Sequence, residues 1–140
     1  MIKNDKQYKI TKKKLKELEL KLQPYLSKAV PGKNELIISS LVRQKNHFVA
    51  EIKAYEKIKN KSLCIFKIRT LDLLPHILIE YKISKGLSQK EFAKILGIKE
   101  QQLQRYESDD FRSVSFSKLL TFLALAGLRV EVKGNKTEKI

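Results

Sequence analysis

"GLSQKEFAKILGIKEQQLQRYES" spans residues 86–108 and holds two helical patterns that meet at Gly97. Ser88 followed by Glu91 has the spacing of a capping box, which marks a helix start. Phe92, Ala93 and Leu96 form the apolar stripe of that first helix. Gly97 permits a tight turn, and Ile98 plugs the angle that follows. Leu103 and Tyr106 bury the second helix, which leaves Gln101, Gln102, Gln104 and Arg105 on its outer face. A helix that only fills a core has no use for a run of amides outside. Small Ala93 lets the two helices approach closely.

Two short helices joined by a tight turn make the arrangement of a helix-turn-helix. The outer face of the second suits a groove of duplex DNA. An α-helix fits the major groove of B-DNA, where a glutamine amide matches the donor and acceptor of adenine. An arginine fork matches O6 and N7 of guanine. Gln101, Gln102, Gln104 and Arg105 are therefore expected to face bases. Gln89 with Ser88 beside it, at the start of the preceding helix, and Lys99 and Arg112 flanking the second, are expected at phosphates.

The charge agrees. The chain has 140 residues and a formal net charge of +15, with 42 % hydrophobic and 32 % charged residues. The hydrophobic share is ordinary for a folded protein. The surplus of lysine points to a polyanionic partner, nucleic acid being the commonest. It is spread along the chain: residues 1–60 hold 15 basic and 6 acidic residues, and residues 61–140 hold 15 and 9. The plain alternative is a well-solvated surface rich in lysine.

Around the central motif the chain reads as a mainly α protein. Thr11 is placed to cap a helix running to Gln23, with Leu15, Leu18 and Leu22 at helical spacing. Pro24, Pro31 and Gly32 mark a loop. A longer helix follows from Asn34 to Lys59. Its Ile38, Leu41, Phe48, Ile52 and Tyr55 form a narrow seam like that of a coiled coil, interrupted by Lys45. The two helices are expected to form a hairpin over residues 1–60 with a thin core of its own. It must pack on another chain or on the rest of this one. A linker over 61–72 follows, in which Leu63, Ile65, Phe66 and Ile68 suggest a short strand. Pro75 opens the next helix and Gly86 closes it. The second domain covers 73–133. Its last helix, from Ser115 to Ala126, ends at Gly127, and Leu128, Val130 and Val132 then alternate with charged residues as a half-buried strand does. Residues 134–140 form a flexible tail.

Several classes are excluded. Cys64 is the only cysteine, so no internal disulfide forms and a reducing compartment is expected. One cysteine with His47 and His76 makes no structural zinc site of the usual kind. The glycines, at 32, 86, 97, 127 and 134, build no phosphate-cradling loop. Ser88 has no local histidine partner and is explained as a cap. No catalysis, metal or cofactor is expected. The opening "MIKNDKQYKITKKKLKELELKL" lacks the apolar segment of a signal peptide. No run approaches the roughly 18 apolar residues of a membrane span. A cytoplasmic protein with no membrane partner is expected.

"KGLSQKEFAKILGIKEQQLQRYE" resembles the helix-turn-helix of the xenobiotic-response-element and phage-repressor (XRE) family. That family's succession of Gly, apolar, Ser/Thr, Gln, Leu-Ala and Gly is met by Gly86, Leu87, Ser88, Gln89, Phe92-Ala93 and Gly97. The resemblance covers residues 73–130 and implies a five-helix, lambda-repressor-like domain. It also implies that Gln89 meets a phosphate and that Gln101, Gln102 and Arg105 face bases. Two departures stand out. Lys99 occupies the position where the family caps the reading helix with Ser or Thr. "ESDDFRS" replaces the usual Glu-Asn-Gly, which brings Asp109 and Asp110 near the DNA backbone.

Antitoxins of the Hip/Hig type also follow their last helix with a strand that pairs across a two-fold axis. Leu128, Val130 and Val132 are candidates for such a dimer contact, with an intramolecular sheet edge as the alternative. A dimer would set its reading helices about one DNA turn apart, ~34 Å, on a palindromic operator. The resulting expectation is a homodimeric transcriptional regulator that represses its own operon, of the antitoxin or mobile-element kind, with a cognate toxin as a possible partner. The competing expectation is a protein-interaction module that neutralises a partner enzyme, with DNA binding secondary. RNA binding calls for exposed stacking aromatics, and Tyr106 reads as buried. The hairpin is open to three roles: dimerisation or packing, toxin binding, and extra DNA contact by its lysines.

Overall fold

The computed structural model describes residues 1–27, 34–60 and 65–134. They form six α-helices: α1 (Asp5–Ser27), α2 (Glu35–Lys59), α3 (His76–Ser84), α4 (Gln89–Leu96), α5 (Glu100–Ser108) and α6 (Phe116–Leu125), with a single 3-10 turn at Leu71–Leu73. The chain is mainly α, as its periodicity predicts.

The first helix begins earlier and ends later than the pattern around Thr11 suggests. Asn4 Oδ1 accepts the backbone N–H of Gln7 at 2.9 Å, and Gln7 Oε1 accepts that of Lys3 at 2.8 Å. These two bonds satisfy donors that a helix start otherwise leaves open. Thr11 sits inside the helix and donates to the Gln7 carbonyl. Pro24 does not end the helix, because its φ suits a helix and its missing N–H removes one bond near the end.

The hairpin packs on the rest of its own chain. Leu18 and Leu22 of α1 and Ile52 and Tyr55 of α2 are buried, and Ile38, Leu41 and Phe48 are half-buried. The Tyr8 and Tyr55 rings stack at 4.9 Å. Ile2, Ile52 and Tyr55 join one continuous core with Leu78, Ile79, Phe92, Leu103, Phe111 and Phe122. Tyr55 donates to Asp5 Oδ1 at 2.7 Å and Tyr8 to Glu56 Oε1 at 2.5 Å, so both hydroxyls are partnered.

Three expectations are corrected. Residues 65–68 form no strand; the Phe66 ring instead meets Tyr81 edge-on at 6.5 Å. Leu63 lies outside the described residues. Residues 128–133 also form no strand: among the described residues no ladder of backbone hydrogen bonds joins them to another segment. Leu128 is half-buried, while Val130 and Val132 are exposed, Val132 to 85 %. Finally, residues 73–133 hold four α-helices, where the resemblance implies five. In place of a helix after α5, the chain turns through Asp110 (φ 57°) and Phe111 (φ 59°). Two consecutive left-handed residues that are not glycine cost about 1–2 kcal/mol each. Burial of the Phe111 ring, 6.0 Å from Tyr106 and 6.5 Å from Phe122, offsets that cost.

Candidate nucleic-acid interface

The turn between α4 and α5 follows from its residues. Ser88 Oγ accepts the Glu91 N–H at 3.2 Å, and Glu91 Oε2 accepts the Ser88 N–H at 2.8 Å, a complete capping box. These bonds hold the Glu91 carboxyl below the usual glutamate range. At the other end Gly97 adopts φ 68°. The Ile98 N–H reaches the Ala93 carbonyl at 3.0 Å, and the Gly97 N–H reaches that of Lys94 at 3.2 Å. That pair of bonds is a Schellman motif, which needs a left-handed residue at this position.

Helix α5 is held from beneath by one apolar and one charged anchor. Leu103 is buried under its middle. Glu107, four residues on, is also buried, and its Oε1 accepts from Lys82 Nζ of α3 at 2.7 Å. Its Oε2 accepts from Gln89 Nε2 at 2.8 Å. This pair escaped the sequence reading although a signal existed. Lys82 lies in the apolar run "HILIEYKI", and Glu107 falls at helical spacing from Leu103.

Outward, Gln101, Gln104, Arg105 and Ser108 are exposed. Gln101, Arg105 and Ser108 share one face at i, i+4 and i+7 spacing. Gln104 lies on the flank and reaches back to Glu100 at 3.5 Å. Gln102 is different. It is half-buried and donates to the Tyr106 hydroxyl at 2.9 Å. Lys118 of α6 donates to the same oxygen at 3.0 Å. The Lys118 bond, with smaller contributions from Gln102 and Arg105, pulls the Tyr106 phenol below its ordinary range despite opposing desolvation. Tyr106 is half-buried, so one edge of this cluster meets solvent.

The remaining expected residues sit around this face. Lys99 is the exposed N-cap residue of α5 and supplies no side-chain cap. Arg112 is exposed in the turn after α5. Gln89 is half-buried at the start of α4, with its Nε2 engaged by Glu107. The two aspartates of that turn do not both project free charge. Asp110 lies 2.7 Å from Lys3 Nζ, and the same ammonium donates to the Glu107 carbonyl at 2.5 Å. The hydrogen bond from Lys3 holds the Asp110 carboxyl below the usual aspartate range, with His76 and Arg112 assisting against partial desolvation. Lys3, near the start of the chain, is thereby fastened to the carboxyl end of α5.

No helix among the described residues is long and apolar enough to cross a membrane. Comparison with known proteins finds a family model described as helix-turn-helix that matches residues 78–131. No curated protein and no solved structure matches the chain.

Proposed function

We propose that α5 enters the major groove of double-stranded DNA and reads bases with Gln101 and Arg105, in keeping with the helix-turn-helix family model that matches residues 78–131. One observation carries this reading. Gln101 and Arg105 stand exposed on one face of a helix whose other face is pinned by Leu103 and the buried Glu107. A rigid helix with an amide and a guanidinium outward is what base-edge recognition needs. Gln104 serves at the flank. Gln102 contributes through Tyr106 and Lys118, which face the backbone beside the groove. Ser88 and Gln89, at the start of α4, and Lys99 and Arg112 flank the reading face as phosphate contacts.

The regulator is a cytoplasmic homodimer on a palindromic operator that represses its own operon in the manner of an antitoxin or mobile-element regulator, needing no cofactor. Leu128, Val130 and Val132 support the dimer, because a second copy would offer the extended segment the ladder that it lacks. Deleting residues 128–140 should then lower dimer affinity in sedimentation; an unchanged profile would place dimerisation elsewhere.

A selection from a randomised duplex pool, followed by fluorescence anisotropy at about 0.15 M salt, tests the reading. A consensus bound tightly by the native chain and lost in Gln101→Ala/Arg105→Ala would support it. Equal, weak binding to consensus and scrambled duplexes would refute it.

A second reading is favoured by the far end of the hairpin. Leu20, Leu26, Leu36 and Ile37 are exposed there, Leu36 to 88 %. Such a surface suits a protein partner, and in this reading the chain neutralises an enzyme encoded beside it. Co-purification with the neighbouring gene product, and growth arrest on deletion, would favour it.

A further inference from the structure

The start of α1 lies in a groove against the reading end of the molecule. Lys3, Asn4, Lys6, Gln7 and Ile10 line one wall, and Gln89, Gln104, Glu107 and Ser108 line the other. Gln104 is the flank of the reading face, so the groove opens directly onto it. The carboxylates here are matched. Glu107 is held by Lys82 and Gln89, and Asp110 by Lys3. The amino-terminal ammonium pairs with Glu51 at 2.6 Å. Lys6 is left over: it is exposed and makes no ion pair among the described residues.

Lys6 does not stand alone. At 3.6 residues per turn, Lys13 projects in nearly the same direction as Lys6, and Lys14 in that of Gln7. Both are exposed and likewise without an ion pair among the described residues. The flank of α1 that meets the groove thus continues as a cationic row. On the opposite side of α5, Lys118 with the Tyr106 hydroxyl forms a second cationic shoulder. The reading face lies between the two. A duplex seated on α5 would present its phosphates to both sides, and a row of unpaired ammonium groups is complementary to phosphates and not to bases.

We propose that Lys6, Lys13 and Lys14 of α1 form a phosphate-binding shoulder of the DNA interface, extending it beyond the base pairs that α5 reads. The inference rests on the proposed role of α5. It gives the amino-terminal hairpin a function that the helix-turn-helix domain does not supply: affinity from flanking DNA of any sequence. The Lys3 bridge to Asp110 and to the Glu107 carbonyl keeps this shoulder in fixed register with the reading helix.

The test uses the full chain and two probes. One is a duplex of the selected consensus alone, and the other is that core extended on both sides by scrambled sequence. Lys6→Ala/Lys13→Ala/Lys14→Ala is compared with Lys16→Ala/Lys53→Ala/Lys57→Ala, which removes the same charge from other exposed positions. The native chain should bind the extended probe more tightly than the core. The first variant should lose that gain, with the slope of log affinity against log salt shallower by about 0.9 for each phosphate contact removed. Its base preference should not change, and the second variant should behave as native. Equal slopes in the native chain and the first variant, or equal losses in both variants, would overturn the shoulder while leaving α5 as the reader. Failure of the native chain to prefer the consensus over a scrambled duplex would instead remove the role of α5, and the shoulder with it.

Discussion

Lys82 Nζ of α3 lies 2.7 Å from Glu107 Oε1 of α5, with the two side chains only 2 % and 3 % exposed. The pair joins α3 to α5 through the core. Gln89 of α4 takes the second carboxylate oxygen, so three helices meet at one buried charge. Such a pair sets geometry more than it adds stability, because burying both ions costs much of what their attraction returns.

Removing one partner should therefore cost far more than removing both. Lys82→Met leaves a buried carboxylate with a single amide donor and is expected to destabilise by ~3–5 kcal/mol. Lys82→Met/Glu107→Leu should recover most of that loss. Urea denaturation of the three proteins checks the order, and a double variant no better than the single would contradict it.

The capping box makes a smaller and separable claim. Ser88→Ala removes the acceptor for the Glu91 N–H and should cost about 1 kcal/mol in the same assay. Preference among bases should stay as it is, since Ser88 acts on the start of α4 and not on the outer face of α5.

Along α5 the structure ranks the polar residues. Arg105→Ala should cost ~1–3 kcal/mol of binding and relax the preference at one position. Gln102→Ala should weaken all duplexes alike, because its amide is committed to Tyr106. Anisotropy against duplexes substituted one position at a time distinguishes the two outcomes. A uniform loss for Arg105→Ala would make it a phosphate contact.

Acid should act on the junction between Lys3 and Asp110. The folded carboxyl titrates below its ordinary value, chiefly because of the bond from Lys3. The unfolded state therefore binds a proton first as pH falls. The stabilisation is complete above the unfolded aspartate value of about 3.9 and is lost as pH falls through the folded one. Lys3→Met should lower stability near neutral pH and flatten the acid limb of the curve. Urea melts across the acid range measure this, and an unchanged acid limb would count against the junction.

Gly97 offers a test of backbone alone. A Cβ at this position meets nothing within 4 Å, so a substitution creates no clash. The cost of Gly97→Ala should come wholly from φ 68°, about 1–2 kcal/mol. A neutral result would mean that the turn relaxes freely.

Much of this is legible in the sequence. Ser88–Glu91 and Gly97 placed α4 and the turn, and the amides with Arg105 marked the outer face of α5. The helix at Glu35–Lys59 was equally plain from its seam. Other signals in the sequence compete with one another. Asn4 with Gln7 marks the start of α1, yet Thr11 competed for it. Gln102 looked like its neighbours in a run of amides, and only its approach to Tyr106 separates it from them.

Local chemistry was enough for the helices, their caps and the polarity of each face, since these depend on residues within one or two turns of each other. Contacts between distant positions were not. The chain separates Lys3 from Asp110 by more than a hundred residues and Lys82 from Glu107 by twenty-five. Whether such charges meet depends on how helices pack, and packing is set by the whole core. The same holds for Leu128–Lys133, whose alternation suits a strand. A strand exists only where another segment supplies its hydrogen bonds, and no pattern within one segment can provide that partner.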